Sequence, residues 1–193
     1  MRILLIVILG GLLPAGATVA QDIDAGRKVA GICRTCHGLD GFARIPIAPH
    51  IGGEPAAYIE TQLRAFRDGS REHEMMTVVA SSLTDQQIAD AAAWYNHFDV
   101  TATLPAGKNP DDAPELCSTC HGSNGISEMP DVPNLAGETN IYLETQLKAF
   151  RNGKRNHDIM SPIATELDDR GMQTAADWYS AITINITDPT KPN

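Results

Sequence analysis

The chain of 193 residues has few aromatic side chains, few cysteines and no excess of positive charge. Phe, Trp and Tyr make up only 5% of it, so two small domains built from side chains alone would have thin cores. A net charge of −9 excludes the basic surface that nucleic-acid-binding proteins present to phosphate. The hydrophobic fraction of 42% excludes a mainly disordered chain. We expect a globular protein, with no nucleic-acid partner, whose core contains something besides side chains.

Long apolar runs are missing everywhere except near the N-terminus. A positively charged start, an apolar stretch at residues 3–13 and small residues up to Ala20 predict a secretory signal peptide over residues 1–20, cleaved near Ala20. A retained N-terminal membrane anchor is the alternative, but about eleven apolar residues are too few to span a bilayer, which needs roughly twenty. The sequence therefore predicts an exported, periplasmic protein.

The four cysteines occur in two copies of one motif, Cys-x-x-Cys-His, at residues 33–37 and 117–121. This motif is typical of haem c attachment, in which two thioether bonds hold the porphyrin and the histidine binds its iron. A redox-active cysteine pair and a zinc site that uses both pairs are the alternatives. We expect two haem c groups. The predicted attachment residues are Cys33, Cys36, Cys117 and Cys120, and the predicted iron ligands are His37 and His121.

The chain contains an internal repeat. A shift of 84 residues aligns residues 33–95 with residues 117–179 without a gap, and 29 of the 63 aligned positions are identical. Such self-similarity over a whole domain length indicates duplication. We predict one domain at residues 21–98, a linker at 99–114 and a second domain at 115–193.

The pattern of apolar residues predicts helices and no strands. Helices are expected at residues 54–68, 84–98 and 168–182, and a first one begins near Asp22 and leads into the first cysteine motif. The segment before the second motif contains Pro105, Pro110 and Pro114, so the equivalent helix there must be short or broken.

These motifs together resemble dihaem cytochrome c of the cytochrome c4 type. Each Cys-x-x-Cys-His-Gly is followed by a Pro-x-(Leu/Ile)-x-Gly loop, a Tyr-x-x-x-Gln-Leu-x-x-Phe-x-x-Gly helix, a Met and a helix with Trp-Tyr. The resemblance implies an all-α fold of two cytochrome c-like domains related by a pseudo-twofold axis, each around a covalently bound haem. It also implies that the carbonyls of Pro49 and Pro133 accept hydrogen bonds from His37 and His121.

The sixth iron ligand has several candidates. They are Met75, Met76, His50, His73, His97, Met129, Met160, Met172 and His157. Only the pairs Met76/Met160 and His73/His157 occur in both repeats. The resemblance implies Met76 and Met160 as ligands, and ligation by the two histidines is the alternative.

Further haem contacts are expected from repeated tyrosines and arginines. Tyr58 and Tyr142 are predicted to contact a haem propionate or the porphyrin. The arginines would pair with propionates or face solvent; they are Arg67, Arg71, Arg151 and Arg155.

His/Met ligation fills both axial positions of the iron, which favours single-electron transfer over enzymatic chemistry. We expect an electron carrier, not an enzyme, working in a respiratory chain towards a terminal oxidase. An electron-transfer subunit of a flavoprotein sulfide dehydrogenase or quinoprotein dehydrogenase is one alternative. A haem enzyme, such as a peroxidase or a thiosulfate-oxidising cytochrome, is another.

The acidic balance favours redox protein partners with a basic docking face. Residues 21–98 carry a net charge of −3 and residues 115–193 carry −5. Peripheral membrane association through a membrane oxidase or reductase is also expected.

Overall fold

The computed structural model describes residues 20–191. The predicted signal peptide, apart from Ala20, lies outside the described residues. Within residues 20–191, no helix is both long enough and apolar enough to cross a membrane.

The described part of the chain is mainly helical. Its first half contains α1 (Ile23–His37), α2 (Ala56–Asp68), α3 (Glu74–Ser81), α4 (Asp85–Asn96) and β1 (Asp99–Thr103). A short 3-10 helix (Pro110–Asp112) precedes α5 (Glu115–His121), α6 (Asn140–Arg151), α7 (Met160–Glu166), α8 (Asp169–Ser180) and β2 (Thr183–Thr187). The helices predicted from the apolar pattern are confirmed, with ends that differ by up to two residues from the prediction and a first helix that runs through the cysteine motif. The short α5 starts directly after Pro114, as the prolines predicted.

Helix α1 starts at a polar cap and lies very close to α4. The Asp22 side chain accepts a hydrogen bond from the Ala25 amide at 3.0 Å, which satisfies one free donor of the first turn. A Cβ atom added at Gly26 would lie only 1.9 Å from the Asp90 carbonyl oxygen on α4. Glycine is therefore required at this crossing, which places α1 and its cysteine motif against the rest of the first repeat.

The two strands form an antiparallel pair that the sequence analysis did not predict. Asp99 lies opposite Thr187 and Thr101 lies opposite Asn185, which is its own equivalent 84 residues later. The expectation of no strands is wrong, since β1 occupies the start of the segment interpreted as a linker. Five residues of alternating burial are a weak signal, and the strand exists because its partner lies far along the chain.

A pseudo-twofold axis relates the two repeats, as the resemblance implied. An isolated backbone bridge joins Arg71 to Arg155, and these residues are again equivalents 84 positions apart. A residue that pairs with its own equivalent lies next to a twofold axis. The bridge and the centre of the β1–β2 pair therefore both mark the axis.

Each repeat has its own core, and the strands exchange side chains between the two. The first core includes Ile59, Trp94 and Tyr95, and its equivalents Leu143, Trp178 and Tyr179 belong to the second. Ile186 of β2 packs against the first core, while Ala102 of β1 packs against the second. The repeats are thus joined by reciprocal packing around the axis.

Candidate haem-binding site

The two cysteine motifs lie at equivalent places in the two repeats. Cys33 and Cys36 project from the last turns of α1, and Cys117 and Cys120 from α5. All four thiols are free and half-buried. A helical turn brings two side chains three positions apart onto one face. Each pair therefore presents two sulfurs to one side of its helix.

The histidine of each motif is the last residue of its helix, and one of its ring nitrogens is fixed by a hydrogen bond. His37 Nδ1 donates to the Pro49 carbonyl at 2.9 Å, and His121 Nδ1 donates to the Pro133 carbonyl at 2.8 Å. Both histidines are buried, and burial lowers the pKa of each imidazole. Because the proton is on Nδ1, the Nε2 lone pair of each neutral ring is free to bind a metal.

Burial favours the thiol form of Cys33 and Cys117, the first cysteine of each motif. It raises the pKa of Cys33 to about 11, and it also raises the pKa of Cys117. A low-pKa thiolate of the kind used in disulfide exchange is therefore not favoured at either position. This environment fits thiols that become thioethers rather than a redox-active cysteine pair.

The Trp-Tyr pair of the last helix braces the residues that follow each motif. Trp94 Nε1 donates to the Leu39 carbonyl at 2.8 Å, and Tyr95 Oη donates to the Gly38 carbonyl at 3.1 Å. In the second repeat Trp178 and Tyr179 make the equivalent bonds, at 2.9 and 3.1 Å. These side chains fill the core and also fix the chain just after the histidine. The repeated Trp-Tyr was a sequence signal for this role.

The two candidate distal methionines lie at the start of equivalent short helices. Met76 in α3 and Met160 in α7 are both half-buried, whereas the neighbouring Met75 is 61% exposed. His73 Nδ1 accepts hydrogen bonds from the amides of Met75 and Met76, at 3.3 and 3.4 Å, and so caps α3. His157 caps the second helix start in the same way. Each repeated histidine thus positions the backbone of the repeated methionine.

His50, another candidate for the sixth position, is engaged at both ring nitrogens. Its Nδ1 accepts from the Ala43 amide at 3.0 Å, and its Nε2 donates to the Gly137 carbonyl of the other repeat at 3.1 Å. Its equivalent Asn134 makes the same kind of bonds with Ser127 and Gly53. The imidazole and the amide therefore play one role, which is to join the two repeats.

A network of two buried arginines and two half-buried glutamines crosses the interface between the repeats. Arg71 donates to Gln62 at 2.5 Å and to Gln146 at 2.6 Å, and Arg155 donates to the same two glutamines at 2.9 Å. Arg155 also donates to Tyr58 Oη at 3.0 Å. Both guanidinium groups are only 8% exposed. Within residues 20–191, neither takes part in an ion pair with a carboxylate.

Tyr142 belongs to the same buried region. Burial, together with Tyr58, raises its pKa to about 12, although Arg71 and Arg155 oppose that rise. The two tyrosines predicted to contact haem therefore lie beside the arginine pair at the interface.

The structure places Arg67 and Arg151 elsewhere. Arg67 pairs with the exposed Asp85 at 2.7 Å, and Arg151 pairs with the exposed Asp169 at 2.9 Å. These two arginines hold the second helix of each repeat to the start of the last helix. Their predicted contact with propionates stays a prediction.

The residues present fit a haem group in each repeat. Each repeat offers two free thiols, one imidazole with a free Nε2 and a half-buried methionine. Among the described residues, two buried arginines lack a carboxylate partner. Buried cations are normally paired, so carboxylates of a bound group would complete the network. Fold and site together define a c-type cytochrome with two haem domains.

Comparisons with known proteins agree with this class. Residues 113–188 match the family model described as cytochrome c. The thiosulfate dehydrogenase electron acceptor of Thiomonas intermedia is 30% identical over 206 residues, covering 96% of this chain and 93% of that protein. Cytochrome c4 of Pseudomonas aeruginosa is 29% identical, over 86% of this chain and 91% of its own length.

Solved structures show the same relationship. Reduced cytochrome c4 from Pseudomonas stutzeri superimposes with a TM-score of 0.73 at 26% identity, over 85% of this chain and all of that one. Thiosulfate dehydrogenase from Marichromatium purpuratum superimposes with a TM-score of 0.71 at 28% identity, over 84% of this chain and 40% of that one. The chain belongs to the cytochrome c4 family, and it binds two haem c groups covalently through its two cysteine motifs.

Proposed function

We propose that this dihaem electron-transfer cytochrome is a periplasmic single-electron carrier that works in a respiratory chain towards a terminal oxidase. The observation that carries the proposal is the duplication of a complete site. Each repeat has its own cysteine pair, buried imidazole and half-buried methionine, and a buried interface joins the two. When bound, each haem supplies an iron that takes up and returns one electron.

The residues of the chain divide the work of holding such a group. We assign covalent attachment to the four cysteines and axial ligation to His37, Met76, His121 and Met160. Two protein ligands on the iron leave no open position for oxygen or peroxide, which supports a carrier rather than an enzyme. The hydrogen bond from each imidazole to a proline carbonyl would fix the orientation of that ligand towards a bound haem iron.

The propionates belong, in this proposal, to the arginine network. Arg71 and Arg155 lie next to the pseudo-twofold axis and are buried, with no carboxylate partner in the part of the chain that the structure describes. Tyr58 and Tyr142 stand beside them. The two guanidinium groups would bind carboxylates of both haems as ion pairs, and the two tyrosine hydroxyls would donate hydrogen bonds to them. Arg67 and Arg151, which already pair with surface aspartates, contribute mainly to helix packing.

The test of this function is electron delivery to a terminal oxidase. Purified reduced holoprotein is added to membranes of the source cell, and its reoxidation is followed by the visible absorption of the reduced haem. We expect oxygen-dependent, cyanide-sensitive reoxidation at a rate that falls as ionic strength rises, because the acidic surface meets a basic partner. Reoxidation at the same rate with and without cyanide would contradict the oxidase assignment. A reoxidation rate that does not change with ionic strength would contradict the basic docking face.

A second candidate function is acceptance of electrons from a dehydrogenase. It is favoured by the relative from Thiomonas intermedia, which is described as a thiosulfate dehydrogenase electron acceptor and matches 96% of this chain. The two functions are compatible, since a carrier needs a donor as well as an acceptor. Mixing oxidised holoprotein with a thiosulfate dehydrogenase and thiosulfate would then reduce both haems, whereas thiosulfate alone would reduce neither. Reduction by thiosulfate without the dehydrogenase would instead favour an enzyme.

A further inference from the structure

Two buried glutamates lie at the domain interface, each pointing towards the repeat to which the other belongs. Glu54 and Glu138 are equivalents 84 residues apart, and they are 4% and 3% exposed. Glu138 Oε2 has no hydrogen-bond partner among the described residues. Carboxyl groups are seldom buried without a cation, and neither the attachment nor the ligation of haem uses this pair.

Glu54 is connected to the proximal histidine of the other repeat through a single peptide group. The peptide group between Pro133 and Asn134 accepts the Nδ1 proton of His121 on its carbonyl, at 2.8 Å. The amide of that same peptide group donates to Glu54 Oε2 at 3.0 Å, and this bond is buried. A carboxyl of the first repeat therefore lies at the end of a hydrogen-bonded path that begins at the imidazole of the second.

The equivalent path in the other direction is weaker. The Pro49 carbonyl accepts from His37 at 2.9 Å, and the His50 amide of the same peptide group faces Glu138 and lowers its pKa. Among the described residues this path has no counterpart to the 3.0 Å bond of Glu54, and Glu138 Oε2 has no hydrogen-bond partner. The two glutamates are thus equivalent in sequence but differ in their hydrogen bonds.

We propose that Glu54 is a positioning residue that tunes the reduction potential of the second haem across the domain interface, by setting the strength of the His121 hydrogen bond. The proposal rests on the assignment of His121 as an axial ligand. An ionised carboxylate accepts the Asn134 amide more strongly than a neutral acid does. Because hydrogen bonds in series polarise one another, the Pro133 carbonyl then accepts the His121 proton more strongly.

The direction of the effect follows from the basicity of the imidazole. A stronger bond at Nδ1 makes His121 a more basic ligand, which stabilises oxidised iron more than reduced iron and lowers the potential. When the second haem accepts one electron from a redox partner, the proton affinity of Glu54 rises. A fraction of the molecules then takes up one proton from solvent, which forms an O–H bond on Glu54. Burial raises the pKa of Glu54 to about 8, against the opposing effect of the Asn134 amide, so the titration falls within an accessible pH range.

The surroundings of the glutamate pair contain few charges. Glu54 faces the Asn134 amide, and Glu138 faces Glu54 and the His50 amide. On the side of Glu138 lies Tyr142, which also senses Tyr58 and the two interface arginines. The His50 ring stays neutral, because burial lowers its pKa.

The test measures the potential of each haem between pH 6 and pH 9 in wild-type holoprotein, Glu54→Gln and the control Glu166→Gln. The control removes the same charge from an exposed position of the second repeat. A three- to tenfold difference in the proton affinity of Glu54 between the oxidation states corresponds to a fall of about 28 to 59 mV in the second haem. We expect this fall in the wild type and the control, and a flat profile in Glu54→Gln.

A second readout reports the hydrogen bond itself. In ¹⁵N-labelled reduced protein, the His121 Nδ1–H resonance should shift with pH in the wild type and stay constant in Glu54→Gln. If neither the potential of the second haem nor the His121 resonance of the wild type changes between pH 6 and pH 9, the proposal is wrong. This outcome needs only the wild-type protein, so it can be obtained even if Glu54→Gln does not fold. Equal slopes in the wild type and Glu54→Gln would also overturn it.

Failure of the underlying site assignment gives a different result. If His121 is not a ligand, a His121→Gly holoprotein keeps the low-spin spectrum of the second haem. Loss of that spectrum together with a flat pH profile would contradict the role of Glu54 alone.

Discussion

Adding one methyl group to α1 should have opposite effects at two positions of the same helix. Gly26 and Gly31 both lie inside α1, so replacing either by alanine brings the same gain in helix propensity, about 1 kcal/mol. A Cβ at Gly31 would meet nothing within 4 Å. A Cβ at Gly26 would lie 1.9 Å from the Asp90 carbonyl oxygen and 2.9 Å from the Trp94 Cβ. We therefore expect Gly31→Ala to stabilise the protein and Gly26→Ala to destabilise it.

The size of the difference follows from which atoms are in contact. The Asp90 oxygen is backbone inside α4 and cannot rotate away, so the two helices must move apart by about 1.5 Å to reach ordinary contact, about 3.4 Å. Overpacking of this kind costs roughly 1–3 kcal/mol, and a rigid backbone contact belongs at the upper end. Gly26→Ala should then lower the free energy of unfolding by about 2 kcal/mol, while Gly31→Ala raises it by about 1 kcal/mol.

The assay is guanidinium chloride unfolding of the two holoproteins, followed by circular dichroism. The midpoints should move in opposite directions with an unchanged m-value, since neither variant alters the surface exposed on unfolding. Two variants that shift the midpoint in the same direction by the same amount would refute the close crossing of α1 and α4.

Three further predictions concern the haem ligand, the interface and pH. Met76→Ala should remove the first domain's share of the near-infrared charge-transfer band of the oxidised protein, and the exposed Met75→Ala should leave the band intact; an intact band in both would contradict the ligand assignment. Arg155→Ala should cost about 2 kcal/mol of stability in chemical unfolding, because two half-buried glutamines lose a charged donor, while the exposed neighbouring variant Lys154→Ala should change it by under about 0.5 kcal/mol. Equal losses would rule out the network. Burial raises the pKa of Glu54 from 4.5 to about 8, so the folded protein holds a proton that the unfolded chain releases. Stability should fall as pH rises from 4.5 to 8, by at most about 1.4 kcal/mol per pH unit, and Glu54→Gln should remove this part of the pH profile.

The covalent attachment of haem could be predicted from the sequence because it depends on residues a few positions apart. The two Cys-x-x-Cys-His motifs predicted helical turns that carry two sulfurs and an imidazole, and α1 and α5 carry them so. The 84-residue repeat predicted two equivalent domains, which the equivalent hydrogen bonds of Pro49 and Pro133 reflect. Local patterns suffice for such features, since the residues involved are neighbours along the chain.

The interface between the repeats could not be predicted from the sequence, because the residues that meet there lie far apart along the chain. Arg71 and Arg67 are the same residue type and both recur in the second repeat, so the sequence does not distinguish them. In the structure Arg71 is buried next to the pseudo-twofold axis, whereas Arg67 pairs with a surface aspartate. His50 was one of several possible ligands until its two ring nitrogens were found to join the repeats. The β1–β2 pair was missed for the same reason.

The sequence by itself determined that this protein attaches two haems, which cysteines hold them, and that they lie in two copies of one helical domain. It also predicts His37 and His121 as iron ligands. Only the tertiary structure decided how the copies meet and which arginines are buried at their interface. It also decided that Glu54 of one copy reaches the histidine of the other through a peptide group. The physical reason is that attachment depends on side chains three or four positions apart. Burial, pairing and electrostatic coupling instead depend on which distant surfaces exclude water together.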